Sequence, residues 1–277
     1  MKALVIGANG FLGSNLVNKC LSLSWEVTCV YHRLENNIPK SCERYSYDQI
    51  KKIKPMFDLV FLLAAVIPYK NFDTVNFGLF DSNIDLTISI LQKFTNSKIV
   101  FSSTAAVYGY HTEVITESSA FNNPNFYAMT KLAAETILRF HPCYQIVRFS
   151  SLYGKGMNPS TILPSIINDA KKKKRITLYG SGSRVQDYLY VDDAVGYLLA
   201  SAACSKSWAY LGVNGCSHSN AEVAEIVKSF VKGCTVRYRD EDTSPSFRYN
   251  NDLTMNTLQY KPQISFAEGV ERLFNYG

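Results

Sequence analysis

Lys2-Ala3-Leu4-Val5-Ile6-Gly7-Ala8-Asn9-Gly10-Phe11-Leu12-Gly13 has the pattern of a buried strand that breaks on a glycine turn and continues as a helix. The unbroken apolar run Ala3–Ile6 suits a strand covered on both faces rather than one with a wet side. Gly7 permits the tight turn, Gly10 lets the backbone approach a pyrophosphate, and Gly13 lets helix and strand pack closely. The N–H groups of the first helical turn are then left to bind an anion. A lone glycine pattern is weak evidence, but here it follows a strand and opens a helix at the head of the chain, which is the context such a motif needs.

Working outward, 2–6, 26–31, 58–63, 98–102 and 145–149 read as strands, and 11–23, 76–95 and 125–140 as helices. This alternation implies an α/β fold, a Rossmann-type doubly wound parallel sheet with a smaller C-terminal substrate-binding lobe. The expected division is a dinucleotide-binding domain over 1–153, with late sheet elements from about 184–213, and a lobe formed mainly by 154–277. In the lobe, 161–172 reads as a helix, 176–178 and 188–191 as strand, and the segment from Asp192 and 220–231 as helices. Asp187, Asp192 and Asp193 are expected to cap the helix that begins beside them.

Of 277 residues 47% are hydrophobic, enough for one large core and an appended lobe. No run of 18 apolar residues occurs, and Met1-Lys2 leads straight into the strand, so a cytoplasmic protein with no membrane partner is expected. The seven cysteines contain no Cys-x-x-Cys pair, and neither a metal site nor a disulfide frame is expected. The net charge of +6 has one dense source, Lys171-Lys172-Lys173-Lys174-Arg175. This run reads as a solvated helix end rather than a nucleic-acid site, because cations favour helix C-termini.

Tyr127 and Lys131 lie four apart on an expected helix and so share one face. An adjacent ammonium favours a phenolate over a phenol, which would bring a group of ordinary pKa about 10 towards useful acid–base chemistry. Alone, the Tyr-x-x-x-Lys pattern arises often by chance and reads by default as a surface aromatic beside a lysine.

Gly7–Gly13, Asp58–Ala65, Asn83, Phe101–Gly109, Tyr127–Lys131, Arg148–Gly154 and Asp187–Asp193 together resemble the extended short-chain dehydrogenase/reductase superfamily, within its NAD-dependent epimerase/dehydratase, nucleotide-sugar-modifying group. The resemblance implies Thr104, Tyr127 and Lys131 as catalytic residues, Thr104 and Tyr127 also meeting the substrate. It implies Gly7, Asn9, Gly10, Phe11, Leu12, Gly13, His32, Arg33, Leu63, Ala64, Ala65, Ser102, Tyr127 and Lys131 as the cofactor set. Ser151, Arg184, Gln186 and Arg248 are the remaining substrate candidates, although Ser151 and Gln186 replace the asparagine and arginine usual in relatives. The Asn158–Thr161 segment is expected to face the sugar.

Absences narrow the chemistry. Ala105 and Ala106 stand where dehydratases of this group carry an acid pair, and no cysteine lies between Cys42 and Cys143 to serve carbon-acid epimerisation. Hydride transfer at a carbinol or ketone carbon remains. The second strand runs into Tyr31, His32 and Arg33 rather than an acid, which favours NADP(H) over NAD(H) unless Arg33 points to solvent or Glu35 reaches the ribose. With the short chain, this leans the expectation to NADPH-dependent reduction of a 4-keto-6-deoxyhexose nucleotide. The alternatives are a nucleotide-sugar 4-epimerase with tightly held NAD and a non-catalytic cofactor sensor. A homodimer through a hydrophobic surface helix within 76–95 is also expected.

Overall fold

The computed structural model describes residues 1–34, 36–68 and 74–275. Its main sheet is built from β1 (Lys2–Ile6), β2 (Glu26–Tyr31), β3 (Glu43–Ser46), β4 (Leu59–Leu62), β5 (Lys98–Thr104), β6 (Tyr144–Phe149) and β10 (Ala209–Gly212). Every pairing in it is parallel, in the order β10-β6-β5-β4-β1-β2-β3. The strand order reverses between β1 and β4, and the crevice beyond the carboxyl ends of strands at such a point is where this architecture binds ligands.

Helices α1 (Phe11–Ser22), α2 (Phe77–Lys93), α3 (Phe126–Leu138) and α5 (Val191–Ala203) cover the sheet. On α1 the core-facing residues Leu12, Leu16, Val17 and Cys20 recur at helical spacing and are buried. Each large apolar side chain of this kind contributes roughly 1.5–3 kcal/mol by leaving water. Asn76 and Asn125 cap α2 and α3 by accepting from the Leu79 and Ala128 amides.

The C-terminal part adds β7 (Ser151–Tyr153), α4 (Ile162–Lys173), β8 (Arg175–Tyr179), β9 (Val185–Tyr190), β11 (Ser217–Ser219), α6 (Asn220–Ser229), β12 (Thr235–Arg239), α7 (Asp252–Leu258) and α8 (Phe266–Asn275). They form two small sheets, β11-β9-β7 and β12-β8. The basic run ends α4 as expected, with Lys171, Lys172 and Lys173 in its last turn.

The capping expectation for the aspartates is corrected. Tyr190 occupies the N-cap of α5 and makes no side-chain cap. Asp187, inside β9, accepts from Ser150 Oγ at 2.5 Å and from the Asn214 and Gly215 amides at 2.9 Å each. Asp193 accepts from Tyr260 Oη and the Gln263 amide at 2.8 Å and the Ile264 amide at 2.9 Å. Asp192 faces Arg272 at 3.3 Å. These carboxylates tie distant segments together, because buried backbone N–H groups of irregular chain need acceptors that no regular ladder supplies.

Among the described residues no helix is long and apolar enough to cross a membrane, and no group of three His, Cys, Asp or Glu side chains could hold a metal ion.

Candidate active site

A cavity of about 700 Å³ opens at the switch point. Its floor is the glycine turn. Gly7 has φ +89°, a conformation costly for any side chain, and a Cβ on Gly13 would run into the Gly7 carbonyl. Gly10 caps α1 without a side-chain hydrogen bond, and Phe11, Leu12 and Gly13 line the cavity, so the first turn of α1 is presented to whatever binds there. Asn9 lines it too and donates to the Leu34 carbonyl at 2.8 Å. Leu63, Ala64 and Ala65 form one wall beyond β4, and Ser102 another on β5. A bare backbone cradle at a helix N-terminus, flanked by apolar walls, fits a dinucleotide.

At the end of β2 the structure separates two residues that the sequence placed together. His32 lines the cavity beside Tyr47, their ring centroids 5.1 Å apart. Arg33 is exposed and off the wall. Glu35 lies outside the described residues. Tyr47 was missed because the polar strand β3, which places it there, carries little strand signal.

Thr104 ends β5 and Tyr127 lies in the first turn of α3; both line the cavity. Thr104 Oγ1 also accepts the Ala106 amide at 3.2 Å, starting the 3₁₀ turn over Ala105–Tyr108. Asn83 on α2 braces this end. It donates to Thr130 Oγ1 at 3.0 Å and accepts the Val66 amide at 2.9 Å. Lys131 is buried behind the cavity rather than on its wall, its ammonium 4.1 Å from the centroid of the Phe101 ring.

The expectation that the ammonium lowers the phenol is corrected for this state. Burial pushes Tyr127 up to about 12, and burial, opposed by the charge of Glu135, brings Lys131 down to about 7. Desolvation favours the neutral form of both groups.

The substrate candidates do not converge on this cavity. Ser151 is exposed, while its neighbours Ser150 and Leu152 line the wall with Phe149. Residues two apart share a side, and the break between β6 and β7 falls at Ser150, so the phase is one residue from that expected. Gln186 sits opposite His218 in the β9–β11 pairing, its buried Nε2 without a hydrogen bond. Arg184 donates to the Pro245 carbonyl at 3.2 Å and lines a second cavity of about 540 Å³. Arg248 lines a third, of about 340 Å³. Asn158 and Thr161 do face the main cavity, joined by Met157. The second cavity shares Thr161 with the first, and the third shares Thr243 and Ser244 with the second.

Comparisons with known proteins agree with this architecture. The chain is 25% identical over 300 residues to a putative UDP-glucose 4-epimerase of Methanocaldococcus jannaschii, covering 99% of this chain and 97% of the relative. Its fold superposes on the UDP-glucose 4-epimerase of Thermotoga maritima with UDP-glucose at a TM-score of 0.90, with 21% identity over 100% of this chain and 98% of that one. For the UDP-glucuronic acid 4-epimerase of Bacillus cereus with UDP-glucuronic acid and NAD, the TM-score is 0.87, again with 21% identity over 100% and 98%. Residues 3–207 match the model of the NAD dependent epimerase/dehydratase family, and the chain belongs to that family of extended short-chain dehydrogenase enzymes.

Proposed function

We propose that the protein epimerises a nucleotide-diphosphate sugar at C4, by removal and return of a hydride. One observation carries this reading. The cavity that starts at the glycine turn ends at Thr104 and Tyr127, and among its described lining residues there is no Asp, Glu, Lys or Arg. Eliminating water needs a second acid–base group. A hydride cycle at a single carbinol needs one, and Tyr127 is the titratable side chain at that end.

A nicotinamide dinucleotide held by Gly7, Gly10 and Gly13 would supply the hydride acceptor and donor. Tyr127 Oη takes the proton of the sugar hydroxyl and later gives it back. Thr104 Oγ1 hydrogen-bonds the same oxygen, since a hydroxyl both donates and accepts. Lys131, beneath them, stabilises the phenolate while it exists. The apolar walls exclude water, which strengthens each of these electrostatic terms. The nucleotide runs past Thr161 into the second cavity, where Arg184 and the half-lined pocket of Thr177 and Tyr179 receive it, with Arg248 beyond.

A second reading, NADPH-dependent reduction of a 4-keto-6-deoxyhexose nucleotide, is favoured by the end of β2, where Tyr31, His32 and Arg33 replace the acid that binds a ribose 2′-hydroxyl. Mass spectrometry of undialysed protein separates the two. Retained NAD, with interconversion of UDP-glucose and UDP-galactose or of the corresponding glucuronates, is expected. Protein purified free of dinucleotide that binds NADPH, and loses that preference in Arg33→Ala, would establish the reductase instead. A homodimer belongs to the same proposal, since α2 leaves Phe77 and Phe80 exposed and packs on α3.

A further inference from the structure

The helix that carries Tyr127 and Lys131 continues with Glu135, one turn further along the same face. Glu135 is fully buried, and its carboxylate is held by two elements of the sheet. Ser103 Oγ on β5 donates to it at 2.5 Å, and Arg148 on β6 donates through Nε at 3.0 Å and Nη2 at 2.6 Å. Arg148, itself buried, spends its remaining nitrogen on Tyr108 Oη at 2.8 Å.

Stability does not account for such a pair, because well-packed apolar residues in place of a buried ion pair are often as stable or more so. Its position is informative. Ser103 immediately precedes Thr104, and Glu135 lies one helical turn beyond Lys131. The clamp therefore joins the strand that presents Thr104 to the helix that presents Tyr127 and Lys131.

Lys131 has two sources of compensation for a buried charge, the face of the Phe101 ring and the carboxylate of Glu135. The surrounding elements offer no competing acid among the described side chains. α3 supplies Tyr127 and Glu135, β5 supplies Phe101, Ser103 and Thr104, β6 supplies Arg148, and the 3₁₀ turn supplies Tyr108. Towards α3, α2 turns Asn83 and Thr87, both uncharged, while Asp85 is exposed.

We propose that Glu135 is a positioning residue for the Tyr127–Lys131 pair: clamped by Ser103 and Arg148 one helical turn beyond Lys131, its carboxylate holds the helix against the strand bearing Thr104 and favours the charged form of the lysine. This rests on the assignment of Tyr127 and Lys131 given above. The two groups titrate together. When one proton leaves the pair, the result is either ammonium with phenolate, the form that can take a sugar proton, or amine with phenol, which cannot. Glu135 favours the first. Without it the lysine gives up its proton at lower pH and the unreactive form fills.

The test uses the full chain with ¹³Cε-labelled lysine, the Lys131 resonance being identified by its loss in Lys131→Arg. In Glu135→Gln the titration of Lys131 is expected to move down by about one pH unit, the lower end of the shift an opposite charge at close range produces. That variant leaves Arg148 unpaired and can unfold, so Glu135→Gln/Arg148→Met, which removes both charges, is measured beside it and its folding checked by thermal unfolding. Glu135→Asp should recover part of the shift. With UDP-glucose as probe, kcat should fall about tenfold across the plateau, its acid limb moving down with the lysine and KM staying within about twofold. An unchanged Lys131 titration in folded Glu135→Gln, or in the double variant measured against folded Arg148→Met, would overturn the proposal, as would lost activity with an unmoved acid limb. The lysine titration needs no turnover, so it decides the matter even if UDP-glucose is not a substrate and the functional reading fails.

Discussion

The two sides of the cleft are held together by different means. On the dinucleotide side, local signals set each element: the glycine turn, the Asn76 and Asn125 caps, and the helical spacing of Leu12, Leu16 and Val17. On the substrate side, segments far apart in the chain are pinned by single polar side chains. Asp187 holds Ser150 and the 214–215 turn, Asp193 holds 260–264, and Asn251 Nδ2 reaches Tyr197 Oη at 2.8 Å and the Val213 carbonyl at 2.9 Å. The sides also differ in completeness. Of the described buried side-chain atoms without a hydrogen bond, Gln186 Nε2, Tyr188 Oη, Ser217 Oγ and Asn220 Oδ1 belong to the substrate side, and only Gln145 Oε1 to the other. A preformed cofactor cradle thus faces a wall whose polar groups the chain does not fully pair with one another.

The largest expected effect breaks the chemistry and leaves both sides standing. Tyr127→Phe removes one hydroxyl from the cavity and should lower turnover of the nucleotide sugar by about 10²–10⁴-fold, the usual contribution of a general acid–base group. Dinucleotide retention and the unfolding midpoint should stay as in the parent, and a variant within tenfold of parent activity would remove Tyr127 from its role.

Next comes the stability of the substrate side. Asp193→Ala leaves the Gln263 and Ile264 amides without their acceptor and should cost roughly 2–4 kcal/mol, since each buried donor left unpaired costs about 1–3 kcal/mol. Urea unfolding measures it. A cost below about 1 kcal/mol would mean that the 260–264 segment is held by packing, and the contrast between the sides would weaken.

A further effect concerns pH. Lys131 is held at about 7 against an ordinary 10.5, so between those values the folded chain binds fewer protons at this site than the unfolded chain. Stability from this group therefore rises with pH through that window, and the full cost of the buried charge is felt below it. In thermal unfolding without added cofactor between pH 7 and 9.5, Lys131→Met should flatten the rise seen in the parent. Parallel pH profiles would show that the lysine is not desolvated as described.

Legibility in the sequence follows the same division. β1 and β2 fall where the pattern puts them, and α1 ends within a residue, because apolar runs and glycine punctuation are local. β5 runs two residues beyond its apolar stretch to Thr104, since Ser103 and Thr104 still pair with Arg148 and Phe149 of β6. The polar β3, the short β10 and the tail helix α8 take their structure from partners elsewhere in the chain. Adjacent aspartates before a helix look like caps by composition, and only tertiary contacts show that Asp193 serves residues some seventy positions away. At the site, the spacing of Tyr127 and Lys131 was readable because a helix has one period. Ser150, Tyr47 and the clamp on Glu135 were not, since each depends on strand phase or on side chains meeting across elements.

In the proposed reaction Tyr127 moves the proton of a sugar carbinol, while a nicotinamide bound in this cavity would take and return the hydride. Rapid mixing of the NAD-loaded protein with UDP-glucose and with UDP-glucuronate, while following the absorbance of reduced nicotinamide, tests it most directly. A transient rise that decays as the C4 epimer accumulates, and is absent in Tyr127→Phe, is the predicted result; epimer formed without reduced nicotinamide, or reduced nicotinamide formed equally in Tyr127→Phe, would contradict it.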